Sequence, residues 1–456
     1  MQTFNKNIYV EKDKIKVWLP KELYLENYFT NIKDREKDIY KFFLNEIVYQ
    51  RRNFFYKYDR NTFDIKTYHE KKLYDEGWVQ LSSSRLRDYY NKYKIILKEL
   101  IDNKIIEVYT KNDIETYRND TSETDNGFAK RYRINPDIMV KSNYDFRQEY
   151  IASNKPLLKS INKHRFSYKI DNLIESNLFS TLCEINIHEN DARQELYDLL
   201  NTEDLNERIS LDSYNYVNAR IDSLVDEEWY FKKDDYGRIH TNVTTLKKCC
   251  RKHLYFKGDE DVALVNVDIT NSQPFFLTLL FNKDVLKKFR SFFNTIKYNI
   301  LRNIEVNKDC LEFKRIVEEG KFYEYLMEKT GLSRDKVKEE VFILFFSQKG
   351  ATYSKLKIVK ALNENLPDFL FFLIELKKEY TGEELNFLPK LLQRLESHFI
   401  YNEISHELIE NIGFSQFITI HDSFLVQEGD EKYIIDAFNK VFKNNNLTVP
   451  KIKIEK

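Results

Sequence analysis

The sequence predicts an α+β chain: mostly helices, a small antiparallel sheet carrying two aspartates, and a separate helix-and-hairpin piece at the N-terminus. Three observations carry this. Glycine and proline are scarce, 10 and 7 in 456 residues, which favours helices over a turn-rich all-β fold. Two strand-like segments each end on or carry an aspartate: Val262 to Val267 running into Asp268, and Phe417 to Ile420 running into His421-Asp422-Ser423. The first 145 residues contain a helix–turn–helix pattern followed by two strands.

Composition narrows the class. Hydrophobic residues make up 42% and charged residues 32%, as in a folded soluble protein. Basic and acidic residues balance at 73 each. Nucleic-acid binders usually carry a basic excess, so any such surface here has to come from segregated charge. The four cysteines form no C-x-x-C pair, and no histidine pair sits at zinc spacing. Reduced thiols, and an N-terminus (MQTFNKNIYVEKDK) without an apolar signal core, point to the cytoplasm. The most apolar stretch, Leu366 to Leu376, is too short to span a bilayer, so no membrane partner is expected.

Three regions follow. Residues 1–145 read as a winged-helix-like domain. Ser82 to Ser84 and Asn91 offer helix caps, and Ile96, Leu97, Leu100 and Ile101 form an apolar stripe. Asn103 stops the helix, Ile105 to Val108 starts a strand, Asn119 to Asn126 forms a polar wing tip, and Lys130 to Ile134 returns. Arg85, Arg87, Lys92, Lys94 and Lys98 are candidates for phosphate contact, against a purely structural domain with solvated lysines. Residues 146–236 read as helical and polar. Residues 237–456 carry the chemistry.

In that last region an aspartate closes each of two strands, and strand-borne carboxylates far apart in sequence can converge on one sheet. Magnesium prefers such oxygen ligands, one or two carboxylates completed by substrate phosphates. Between the aspartates, residues 331–350 read as a helix. Arg334, Lys338, Phe342 and Phe346 recur every four residues and share one face. Arginine and lysine suit a triphosphate, and the rings suit a nucleobase. Taken alone, that helix reads better as an amphipathic helix with buried rings and solvated charges.

The three segments, in this order, resemble motifs A, B and C of the family A DNA polymerases and the related single-subunit phage-type RNA polymerases. Arg334, Lys338, Phe346 and Ser347 fit the motif B spacing. Residues 237–256 (GRIHTNVTTLKKCCRKHLYF) are similar to the segment preceding motif A in the DNA polymerases, and LESHFI, residues 395–400, resembles a stretch of the RNA polymerases. The resemblance spans residues 237–428. It implies a right-hand polymerase fold: a palm with an antiparallel sheet over 237–456, fingers inserted at about 282–360, and a helical thumb at 146–236. It implies that Asp268 and Asp422, helped by the Ile269 carbonyl, bind two Mg2+ ions, with Mn2+ as an alternative. Lys338 would be catalytic, contacting the triphosphate and protonating pyrophosphate. Arg334 would hold the γ-phosphate, Phe342 would stack near the incoming base, and Phe346 would sit at the templating position. Arg238, His398 and His421 would contact primer and template.

Departures from the family leave the sugar open. Motif C here is His421-Asp422-Ser423, as in the RNA polymerases, where the DNA polymerases have a glutamate last. Gln273 stands where the DNA polymerases have glutamate and the RNA polymerases glycine, and Phe346 replaces the usual tyrosine. The implied function is a DNA-directed DNA polymerase without proofreading, serving a phage or mobile element. The alternatives are a single-subunit RNA polymerase or primase, and a non-catalytic DNA-binding replication protein. Expected partners are template, primer and nucleoside triphosphates, with a replication partner met through the N-terminal domain.

Overall fold

The computed structural model describes residues 6–54, 72–73, 75–111, 114–115, 129–204, 207–293, 295–303, 306–346, 355–377 and 387–456. The wing tip expected at Asn119 to Asn126 and the motif B residue Ser347 lie outside them. The described residues mix helix and sheet. They form two compact units, Met1–Asp171 with Glu189–Trp229, and Asn172–His188 with Tyr230–Lys456. The stretch 146–236 therefore contributes to both units. No described helix is long and apolar enough to cross a membrane.

In the first unit, helix Asp34–Phe54 leads to strand Val79–Gln80, helices Ser83–Tyr89 and Tyr93–Asp102, and strands Ile106–Val108 and Arg131–Ile134. The three strands form an antiparallel sheet with Arg131–Ile134 in the middle. Ser82 caps the first short helix, its side chain accepting from the Arg85 N–H. Asn91, expected to cap the second, does not. That helix starts after Lys92 with no side-chain cap, because residues 91–92 are spent on the turn. Ile96, Leu97 and Leu100 are buried as the stripe requires, while Lys92, Lys94 and Lys98 stand in solvent.

The second unit is built on a four-stranded antiparallel sheet in the order Ile418–Ile420, Ser423–Gln427, Leu264–Ile269, Ile452–Glu455. Alternation decides its two faces. Val265, Val267 and Ile269 point into the helical core with Phe424 and Val426, all at most 2% exposed. Helix Glu431–Asn444 covers that face with Ile434, Ala437, Phe438, Val441 and Phe442, an i, i+3, i+4, i+7, i+8 stripe. Helix Ser272–Thr278 is buried along nearly its whole length, and Phe275, Phe276, Phe399 and Phe442 interlock around it. Each such ring contributes roughly 1.5–3 kcal/mol by leaving water.

The register is Asp268 opposite Ser423 on one side and opposite Lys453 on the other. A slip of one residue in either ladder would turn the apolar face to solvent, so the core fixes what stands on the opposite face. That opposite face carries the polar residues.

Candidate active site

The face away from the core presents Asn266 and Asp268 from the central strand, Ser423 and Leu425 from the hairpin, and Lys453 and Glu455 from the C-terminal strand. All six line one cleft of about 300 Å3. Its rim carries Lys248, Arg251 and Lys252 from the segment before the central strand, and Lys338 from helix Arg334–Phe346.

Asp422 reaches the cleft because the hairpin is tight. Ile420 pairs directly with Ser423, leaving only His421 and Asp422 as the loop. His421 takes φ +56°, the left-handed region that two-residue hairpins demand and that glycine usually supplies. Asn271, on the turn leaving the central strand, takes φ +58°. The turns beside both aspartates thus hold strained non-glycine residues, a condition that persists only where surrounding packing imposes it.

Since Asp422 precedes Ser423, and Ser423 pairs with Asp268, the Asp422 carboxylate stands on the hairpin turn, one register position from Asp268 on the central strand. Their electrostatics match this placement. Burial pushes the Asp422 carboxyl well up, and the charges of Glu396 and Asp268 push it further. Burial also raises Asp268, against the pull of Lys453, whose Nζ lies 3.0 Å from Asp268 Oδ2. His421 is held at about 4 by burial and by Arg238, His240 and Arg251, so its imidazole is neutral at pH 7. Its buried Nδ1 finds no partner among the described residues.

A second cluster lies beside the first. The Arg238 guanidinium donates to Glu396 Oε1 at 2.5 Å, and the Gln273 amide donates to Glu396 Oε2. Glu396 is 1% exposed, and burial drives its carboxyl up against the pull of Arg238. Gln273 Oε1 and Arg238 Nε remain buried without partners among the described residues.

The structure brings Asp268, Asp422, His421 and Lys338 to one cleft, and Arg238 and Gln273 to Glu396. Ile269 follows Asp268 with its side chain in the core. Arg334 pairs with Glu324 and lies 5.7 Å from the Tyr323 ring centroid. Phe342, 54% exposed, stacks on Phe346 at 4.7 Å with planes 9° apart. His398 stands elsewhere. It pairs with Glu403 at 3.0 Å and sits edge-on to Phe289, where the helix changes from α to π geometry.

Sequence reasoning missed Glu396, Tyr323, Lys453 and Glu455. Tyr323, raised by burial and then by Asp422, gave no pattern to find. Glu396 lay inside the LESHFI stretch, but its burial has no local signature. Lys453 and Glu455 were accessible, since KIKIE alternates charge with isoleucine as a half-exposed strand does.

Among the described residues no three His, Cys, Asp or Glu side chains gather into a ready cage. The donor set still fits magnesium, which is commonly held by one or two carboxylates and completed by water and substrate phosphates. Asp422, raised by burial and by the charges of Glu396 and Asp268, is a carboxylate whose repulsion a divalent cation relieves.

No family model matches the chain, and no curated protein matches it. Among solved structures it is similar to the POL domain of Pol1 from M. smegmatis in complex with DNA primer-template and dNTP. That likeness has a TM-score of 0.31 and 11% identity, over 67% of this chain and 72% of that one.

Proposed function

We propose that the chain is a template-directed nucleotidyltransferase, and specifically a DNA-directed DNA polymerase, with Asp268 and Asp422 as its metal-binding carboxylates. The observation that carries this is their placement at one sheet, Asp268 on the central strand and Asp422 on the turn of the neighbouring hairpin, in a cleft rimmed by Lys248, Arg251, Lys252 and Lys338. Two acids to hold divalent ions and a basic rim to take a polyphosphate are the parts that phosphoryl transfer requires.

In this reading Asp268 and Asp422 hold magnesium, and the Ile269 carbonyl assists. The chemistry magnesium supplies when bound is Lewis-acid stabilisation of the charge passing between the oxygens. Lys338, which meets no carboxylate among the described residues, neutralises the triphosphate and holds a proton at Nζ for the departing pyrophosphate. Arg334 leaves Glu324 for the γ-phosphate. The exposed Phe342–Phe346 stack receives the base. Neutral His421 positions the primer terminus without adding charge beside the carboxylates. The sheet and its helices are the palm, and the helices of residues 282–360 are the fingers. The helix, strand, two helices and two strands of the first unit are a winged helix, with Lys94 and Lys98 facing nucleic acid.

A second reading, ribonucleotide synthesis on the same site, is favoured by Gln273. Its amide nitrogen is engaged by Glu396, so Oε1 is left as an acceptor that a 2′-hydroxyl would satisfy. The test is extension of a primed DNA template with magnesium and each nucleotide set in turn. Deoxynucleotide extension, lost in Asp268→Ala and Asp422→Ala, is expected. Unprimed ribonucleotide products would favour the second reading, and undiminished activity in either alanine variant removes the metal assignment.

A further inference from the structure

The charged face of the sheet carries a ladder of alternating charge, and nucleotidyl transfer as described above leaves its two middle members, Lys453 and Glu455, unused. Asp268 Oδ2 lies 3.0 Å from Lys453 Nζ, Lys453 Nζ lies 2.9 Å from Glu455 Oε1, and Glu455 Oε2 lies 2.8 Å from Lys248 Nζ. The register sets this order, because Lys453 stands directly opposite Asp268 and Glu455 opposite Asn266.

The two ends of the Lys453 ion pair differ. The Asp268 side chain is 18% exposed and the lysine 46%, so the ammonium reaches in from solvent on a flexible stem. A cation in contact with Asp268 stands where a divalent ion has to bind, and one ammonium does the neutralising in its place. Glu455 is a second anchor for the same ammonium and is itself tied to Lys248, so Lys453 can leave Asp268 without leaving the cleft.

We propose that Lys453 is a resident counter-ion and a positioning residue: it neutralises Asp268 until a divalent cation takes that carboxylate, and then moves to the incoming polyphosphate. Glu455 keeps it within reach. This rests on the metal assignment made above. The exchange couples the two ligands, since the cation must displace the lysine, and the displaced lysine strengthens the phosphate site.

The experiment measures Mn2+ binding to the full-length chain by electron paramagnetic resonance, first alone and then with dATP. Lys453→Met removes the competitor, so Mn2+ alone is expected to bind at least threefold tighter and dATP at least fivefold weaker. Lys453→Arg grips Asp268 with a fork of two donors, so Mn2+ is expected to bind weaker than in wild type. A lysine with a merely structural role would produce neither shift. Mn2+ and dATP affinities within twofold of wild type in both variants overturn the proposal while leaving the metal site standing. Asp268→Asn distinguishes the deeper failure: if it binds Mn2+ as the wild type does, or if the wild type binds none, the metal assignment falls and this proposal with it.

Discussion

Asp38 and Glu46 in the first unit and Asp422 in the second are carboxylates withdrawn from water and held in different ways. In the first, Asp38 is 3% exposed and accepts from three backbone N–H groups, those of Ala152, Ser153 and Asn154, at 3.1, 2.6 and 2.9 Å. Glu46, 1% exposed, is paired with Arg165, with Arg85 a further 3.8 Å contact. Burial works against the Arg165 charge, and Glu46, with Tyr89, Glu228 and Tyr49, together more than offsets it. In the second unit, Asp422 is pushed up by burial and by two other carboxylates, with the Arg238 guanidinium committed to Glu396. A carboxylate whose partners are complete serves the fold. One left in conflict with its neighbours costs stability, and such groups cluster where a ligand completes them.

The comparison breaks most directly at Asp422. On the proposed metal assignment, Asp422→Asn is expected to lower nucleotide addition by about 10^3-fold or more, since it would remove a group acting on the reacting charge. The same substitution should stabilise the fold. The raised carboxyl binds its proton more tightly when folded than when unfolded, so its charge costs stability as pH rises through the folded value. Replacing it with a neutral amide removes that cost at pH 7.5, a gain of about 2–4 °C in Tm per kcal/mol. The gain should shrink as pH is lowered toward the ordinary carboxylate range, where the wild-type group is protonated in both states. Paired melts at pH 7.5 and 5 decide it, and a lower Tm for the variant at both would assign Asp422 to the fold.

Glu46 should show the opposite split. Glu46→Gln leaves Arg165 charged and buried without its partner, at a cost of about 3–5 kcal/mol. Denaturant melts measure the loss. Mn2+ affinity of the folded fraction should stay within twofold, and a larger drop would mean that the division between the two units is drawn wrongly.

The carboxylates also explain what the sequence could and could not reveal. Strands around Asp268 and Asp422 were legible because alternation and apolar runs are local, and so was the Arg334 to Phe346 face. The caps were half legible: Ser82 bonds as its type suggests, while Asn91 is used by a turn. Glu396 was not legible, since nothing near it in sequence says that Arg238 and Gln273, 158 and 123 positions away, will close on it. Its effect on Asp422 is likewise a product of packing. His398, expected at the duplex from its motif, pairs here with Glu403, a partner that nothing local in the sequence announces.

Glu396→Gln sharpens the contrast at about tenfold. If the metal assignment holds, acid is expected to weaken Mn2+ binding in wild type, because the raised carboxyls of Asp422 and Asp268 would hold protons that the ion must displace. Removing the Glu396 charge takes away one cause of the Asp422 shift, so the fall in affinity should move to lower pH. Mn2+ titrations from pH 5.5 to 8 read the midpoint, and an unmoved midpoint would disconnect Glu396 from the site.

The smallest effect belongs to the aromatic stack. Phe342 is exposed and leans on Phe346, so Phe342→Ala removes little buried area, and its cost to stability should be under about 1 kcal/mol. If the stack receives a nucleobase, the same change removes about 0.5–1.5 kcal/mol of ring contact. That is a rise of about 2- to 12-fold in nucleotide KM. Contact made equally in the ground state and the transition state raises KM and leaves kcat alone, so kcat should hold within twofold. Phe342→Tyr keeps the ring and should restore the wild-type KM. A fall in kcat with KM unchanged would instead place Phe342 in the motion or packing of its helix, and the nucleotide would then have to be held by Lys338, Arg334 and the basic rim.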